Sequence, residues 1–239
     1  MAIGPQNRVF TSTRLDQAVI DEGLRAYMLR VYNYMASGLA LTGIVAYLAA
    51  STGFYASIAA TPLIWVVMLA PLAVVFFFSF RLERMSAGAA QTAFWVFAGL
   101  MGLSLASVFL HFTQTSIARV FFITAGTFAA MSLYGYTTKR DLTKMGSFMM
   151  MGLIGIVLAS LVNMFIGSAG LQFAISVIGV IIFVGLTAYD TQRIKEMYIE
   201  TDDGGTMTKK AVYGALALYL DFINLFMLLL QFLGVRRDQ

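Results

Sequence analysis

The chain reads as an all-α integral membrane protein with seven transmembrane helices and a cytoplasmic N-terminus. Three observations predict this. Hydrophobic residues fill 59% of 239 positions and charged residues only 12%, about half the roughly 25% charged share of a soluble domain. Mean hydropathy is +0.80, so the solvent for most of the chain is a bilayer. The apolar residues also come in runs of about 20, the length a helix needs to cross roughly 30 Å of hydrocarbon, and lysine and arginine crowd into alternate loops.

The spans fall at about 30–51, 62–80, 90–110, 117–136, 146–166, 171–190 and 211–234. Thr52-Gly53 and Thr61-Pro62 bound the first break, and Arg81–Arg84 marks the second. The stretches HFTQTS (111–116) and TTKRDLTK (137–144), a Gly167–Gly170 turn and the loop 191–210 mark the others. The domains follow: a polar cytoplasmic tail over 1–25, a transmembrane domain over 26–236 and a short tail over 237–239. The first 25 residues lack the apolar core of a cleavable signal.

Orientation follows from the basic residues. Arg8, Arg14, Arg25, Arg30, Arg81, Arg84, Lys139, Arg140, Lys144, Arg193, Lys195, Lys209 and Lys210 fall on one side, 13 in all. Arg119, Arg236 and Arg237 are the 3 on the other. The richer side is cytoplasmic. The basic C-terminal pair dissents, and a last segment that dips in and returns would bring it inside. Its 24 residues, 211–234, are long enough for a full crossing.

The composition also excludes functions. Without cysteine there is no disulfide, thiol catalysis or thiolate metal site. His111 is the one histidine and cannot make a zinc site alone. An isoelectric point near 9.4 raises nucleic acid as a partner, but the positive charges are spread as topology signals, so no nucleic acid is expected. Small pairs four residues apart, Ala36/Ala40 and Gly126/Ala130, read as helix-packing positions.

The feature that calls for a function is LYLDFINLF (218–226). Asp221 is the only charge between Ala211 and Gly234, and a carboxylate in hydrocarbon costs several kcal/mol or more. Positions three or four apart from it form a small and polar stripe: Gly214, Ala217, Asp221, Asn224, Leu228 and Gln231. Such a stripe faces other helices, which makes the last span central or at least well packed. Asp190, at the end of the preceding span, approaches from the same leaflet, with Thr187 and Arg193 on its face. Arg81 and Arg84 end span two at similar depth.

Two carboxylates a few Å apart in a low dielectric cannot both ionise cheaply, so they share a proton. Deprotonated, they offer hard anionic oxygens suited to Ca²⁺ as a weak, partly hydrated site from which an ion can leave. A nearby arginine competes for the same pair and shuts it. Asn224 and Thr187 are secondary candidates for orienting the carboxylates. A retinal protein needs a lysine in the last span, and there is none. An intramembrane aspartyl protease needs Gly-x-Gly-Asp where this chain has Tyr219-Leu220-Asp221. No internal repeat points to a secondary transporter. No enzyme activity is expected, and no cofactor beyond calcium as transported or weakly bound ion.

AYDTQRIKE (188–196) and LYLDFINLF (218–226) together resemble the Bax inhibitor family, also called the transmembrane Bax-inhibitor-motif family. KRDLTKMGSF (139–148) adds weaker support. The resemblance covers about 25–236 and is to bacterial members, which places the protein in the cell inner membrane. It implies a pH-sensitive calcium leak channel in which Asp190 and Asp221 form the sensing pair. It also implies that an arginine ending span two, Arg84 or Arg81, pairs with Asp190 in the closed form, and that the last helix sits at the centre of the other six. The partners expected are the lipid bilayer, calcium ions and protons. The alternative is a regulatory interaction protein that modulates a membrane protease or a stress response without conducting ions.

Overall fold

In hydrocarbon every backbone N–H and C=O must be satisfied within the protein, and a helix does so within one segment. The apolar runs fold accordingly. The computed structural model describes residues 5–81 and 84–237, with side chains from Ile20 onward except Ser79. Among these residues the helices are α1 (Pro5–Ser51), α2 (Phe54–Ala59), α3 (Leu63–Arg81), α4 (Ala87–His111), α5 (Gln114–Thr137), α6 (Thr143–Ile166), α7 (Ala169–Glu196) and α8 (Gly204–Leu233). Six are long and apolar enough to cross a membrane: Ile20–Ser51 of α1, and α4 through α8. α3 offers a shorter apolar stretch, Leu63–Phe78.

Two local features add to the sequence reading. α1 runs unbroken from Pro5 through the polar N-terminal residues into span one. The break at 52–61 contains α2. Gly53 starts that short helix at φ 74, a left-handed conformation that glycine adopts without steric cost. Gly167 ends α6 in the same way, at φ 67, and its N–H donates to the Asn163 carbonyl at 2.7 Å. Such a glycine is a common helix C-terminal device.

Pro71 lies inside α3. A proline has no N–H, so the carbonyl four residues back loses its helical donor. That carbonyl belongs to Val67, and Ser104 Oγ of α4 donates to it at 2.5 Å. The gap left by proline thereby becomes a tie between two helices.

The packing has a clear hierarchy. α8 touches α1, α4, α5 and α7. Tyr219 is fully buried, with its ring edge-on to Phe94 at 6.3 Å and Phe97 at 5.2 Å. Phe222 packs on Phe121 at 5.5 Å and Phe128 at 5.6 Å. α3 leans mainly on α4, and α6 on α7. The last helix is therefore enclosed chiefly by four neighbours, with α3 and α6 as an outer layer, instead of by all six other spans.

α8 is continuous for 30 residues, about 45 Å, and does not turn back. Its C-terminal extension is pinned to the α4–α5 turn. Thr113 N–H donates to Val235 O at 3.0 Å, Arg237 N–H donates to His111 O at 2.9 Å, and Val235 N–H donates to Ser116 Oγ at 2.8 Å. The basic pair Arg236 and Arg237 therefore lies at the end of the bundle away from the α7–α8 loop, and the re-entrant version of the last segment is not adopted.

Candidate functional site

α7 and α8 form an antiparallel hairpin joined by residues 197–203. Its first task is close approach. Gly214 of α8 has no side chain where the Ile194 side chain of α7 presses against it. With the helices so close, the carboxyl groups of Asp190 and Asp221 come within side-chain hydrogen-bonding reach of each other. Asp221 is 5% exposed, whereas Asp190 is only half-buried. With both groups ionised, Asp221 Oδ2 has no donor. A proton on either carboxyl turns the contact into an O–H···O bond.

The cation felt by Asp190 is Arg193, one turn along α7. Arg81 and Arg84 do not join the pair. Both are exposed, and α3 packs mainly on α4. Asn224 is exposed, and its amide donates to Leu220 O of its own helix at 2.8 Å, not toward Asp221. Thr187 is fully buried, but its hydroxyl donates to Phe183 O at 2.7 Å. The polar stripe thus divides. Asp221 faces α7, Asn224 faces outward, and Gln231 binds Gln172 at 2.8 Å near the opposite end.

Other residues, not singled out from the sequence, build the frame of the pair. Thr191 hydrogen-bonds Ser132 of α5 at 2.9 Å, and Ser132 bonds Tyr32 of α1 at 2.6 Å. One hydroxyl chain therefore ties three helices together beside Asp190. Gln192 clamps the α5–α6 connection. Its Oε1 accepts from Leu142 N–H at 2.8 Å, and its Nε2 donates to Arg140 O at 2.8 Å. The three letters Asp-Thr-Gln after Tyr189 thus divide the work: one acid for the pair, one hydroxyl for the helix tie, one amide for the loop. On α8, the Tyr219 hydroxyl meets Thr42 at 2.6 Å, and Thr42 donates to Ala98 O at 2.8 Å, which fixes the turn that carries Asp221. The paired types, hydroxyl to hydroxyl and amide to backbone, could not be matched from spacing along the chain.

At the connection 197–203, Asp203 caps α8. Its carboxylate accepts from Gly205 N–H at 2.9 Å, from Thr206 N–H at 3.2 Å and from the Thr206 hydroxyl at 2.5 Å. Asp202 pairs with Lys210 at 2.5 Å. Among the described residues, no third histidine, cysteine, aspartate or glutamate joins the central carboxylates in a metal-holding cluster.

The fold and site define a helical integral membrane protein with an acidic pair buried near one end of its bundle. The family profile described as "Inhibitor of apoptosis-promoting Bax1" matches residues 24–238, and the chain belongs to this Bax inhibitor family, a membrane family. Relatives agree over nearly full length. A Rickettsia prowazekii protein is 50% identical over 228 residues, covering 95% of this chain and 97% of its own. The "Inner membrane protein YbhL" of Escherichia coli K12 is 48% identical over 219 residues, covering 90% and 94%. A Caulobacter vibrioides protein is 44% identical over 244 residues, covering 97% and 96%. The chain is an integral protein of the bacterial inner membrane.

Proposed function

We propose that this protein is a proton-controlled Ca²⁺ leak of the inner membrane, with seven spans and its N-terminus in the cytoplasm. The observation that carries the reading is the meeting of two carboxyl groups, Asp190 and Asp221, within hydrogen-bonding reach inside an apolar bundle. Such a pair holds one proton between two oxygens when shut. Without that proton it presents anionic oxygens to a cation, and two carboxylates supply too few of the six to eight ligands Ca²⁺ prefers to trap it. Weak binding suits a pathway. The unequal burial supports a direction of access: ions and protons reach Asp190 first and Asp221 second. Arg193 is the guanidinium placed to compete with the cation at Asp190. An arginine from the end of α3 serves that role only if α3 moves across the bundle.

The seventh span in this reading is α3, whose 19 residues, about 28 Å of helix, nearly match the hydrocarbon thickness. The test is Ca²⁺ flux into liposomes holding the full chain, measured against pH. Asp190→Asn and Asp221→Asn are expected to abolish the pH dependence. Arg193→Ala is expected to raise flux more than Arg84→Ala does. Absent flux, or flux that survives both aspartate changes with its pH profile intact, would falsify the channel reading. Co-purification with a membrane protease would then favour the regulatory alternative.

A further inference from the structure

Between α1 and α5 lies an open groove of about 990 Å³. Its walls are Ala36, Ala40 and Gly43 on α1 and Ala125 and Ala129 on α5, and Phe222 of α8 contributes to its floor. The α5 wall runs from Phe121 to Tyr136, about 22 Å of helix, all of it within the membrane-spanning segments. The small residues at 36 and 40 do not seat another helix. They hollow out the groove.

What fills it follows from its chemistry. Two of the hydroxyls at its wall are satisfied within the protein: Tyr32 bonds Ser132, and Ser132 bonds Thr191. An apolar occupant therefore leaves neither of them unpaired. One end of the groove is different. Arg25 lines it beside Tyr136, is exposed, and has no hydrogen-bond or ion-pair partner among the described residues. Lys195 Nζ sits 5.7 Å from the centre of the Tyr136 ring and adds a second positive charge at that end. The neighbouring carboxylates on α1, Asp21 and Glu22, do not line the groove. A long apolar trough in lipid with a cationic mouth at headgroup level fits an acyl chain joined to an anionic phosphate.

We propose that this groove is a binding site for one anionic phospholipid, with an acyl chain between α1 and α5 and its phosphate against Arg25. The site is independent of ion conduction. Its position beside Tyr32 and Ser132 puts the lipid in contact with the hydroxyl chain that ends next to Asp190.

The test is native mass spectrometry of the full chain in detergent, titrated with dioleoyl phosphatidylglycerol or dioleoyl phosphatidylcholine. The wild type is expected to retain one phosphatidylglycerol about five-fold more tightly than phosphatidylcholine, as one basic residue near a headgroup provides. Arg25→Gln is expected to erase that preference and still bind both lipids. Ala36→Phe with Ala40→Phe fills the groove from one wall and Ala129→Phe from the other, and each is expected to lose both lipids while helical circular dichroism stays at the wild-type level. Unchanged lipid retention in the two filled variants overturns the proposal, as does a headgroup preference that survives Arg25→Gln. A wild type that appears as a dimer in the same spectra, with a filled variant that becomes monomeric and keeps its lipid, assigns the groove to a second copy of the chain, which also overturns it.

Discussion

α6 and α8 have nearly the same mean hydropathy in their most apolar windows, 2.2 and 2.0. Only 6% of that window is buried inside the protein in α6, against 56% in α8. In water such a difference would show in composition, because an exposed face must be polar. In a bilayer lipid is as apolar as leucine, so hydrophobicity does not decide which helix goes inside. Shape and polar groups decide it. α8 carries Gly214 where α7 approaches, Tyr219 bonded to Thr42, and Asp221 facing Asp190. α6 presents Phe148, Ile154, Leu158 and Phe165 outward and meets α7 through Gly146 and Gly152.

The largest expected effect tests whether close approach holds the inner layer. Gly135 of α5 lies against the backbone of Ala188, and any Cβ there would run into that carbonyl. Gly135→Leu must push α5 from α7 and is expected to destabilise the fold by about 3 kcal/mol. Gly126→Leu, on the same helix but facing open space, is expected to cost nothing measurable. Reversible unfolding in mixed micelles reads both, and equal effects would break the contrast. Leu225 and Leu158 give the next test. Leu225 is fully buried in α8 and Leu158 is 58% exposed on α6. Leu225→Ala is expected to cost about 2 kcal/mol, the low end for such truncations, because the unfolded chain in a micelle also keeps its leucines in hydrocarbon. Leu158→Ala should stay within about 0.5 kcal/mol.

Thr191→Val probes the polar tie instead of the packing. It removes the partner of Ser132 while keeping the shape, and about 1 kcal/mol is expected, in the range of interhelical hydrogen bonds in membranes. The Ser132→Ala, Thr191→Val double variant should lose less than the sum of the two single ones, since the two share the Ser132–Thr191 bond while Ser132 alone also holds Tyr32. The smallest effect is at the α8 cap. The Thr206 hydroxyl first, then the Thr206 and Gly205 N–H groups, holds the Asp203 carboxyl below its ordinary value. A lowered folded-state pKa makes the charged cap stabilising above the unfolded value of about 3.9, and that contribution is lost as pH falls through the folded value. The thermal midpoint of wild type should exceed that of Asp203→Asn at neutral pH and converge with it in acid. A gap that does not narrow at all as the pH falls would rule out the charge as its source.

That Asp190 and Asp221 lie on consecutive spans entering from one leaflet was readable before any coordinates, and it raised their pairing as an expectation. Two helix ends were readable too, because Thr52-Gly53 and the Gly167–Gly170 turn leave short-range signals, whereas the Asp203 cap of α8 was not among them. The partners of the pair were not. The arginine expected at Asp190 was sought at the end of span two, yet the guanidinium beside it is Arg193 on its own helix, a choice set by how α3 stacks outside α4. Asn224 obeyed the stripe in spacing, but a helix rotation of one position turns such a residue outward, and only the neighbours of α8 fix that rotation. Ala36/Ala40 had the spacing of a helix contact and instead line a groove.

What the sequence determined by itself is everything that depends on distance along the chain. Span length against bilayer thickness, the alternation of charge between loops, the glycine breaks and the presence of a costly buried acid all follow from local composition. What only the tertiary structure decided is which apolar helix lies inside, which face each one turns, and which hydroxyls meet. Lipid and protein interior offer nearly the same solvation to a leucine, so the choice rests on contacts between residues far apart in sequence: Tyr32 with Ser132, Thr42 with Tyr219, Asp190 with Asp221.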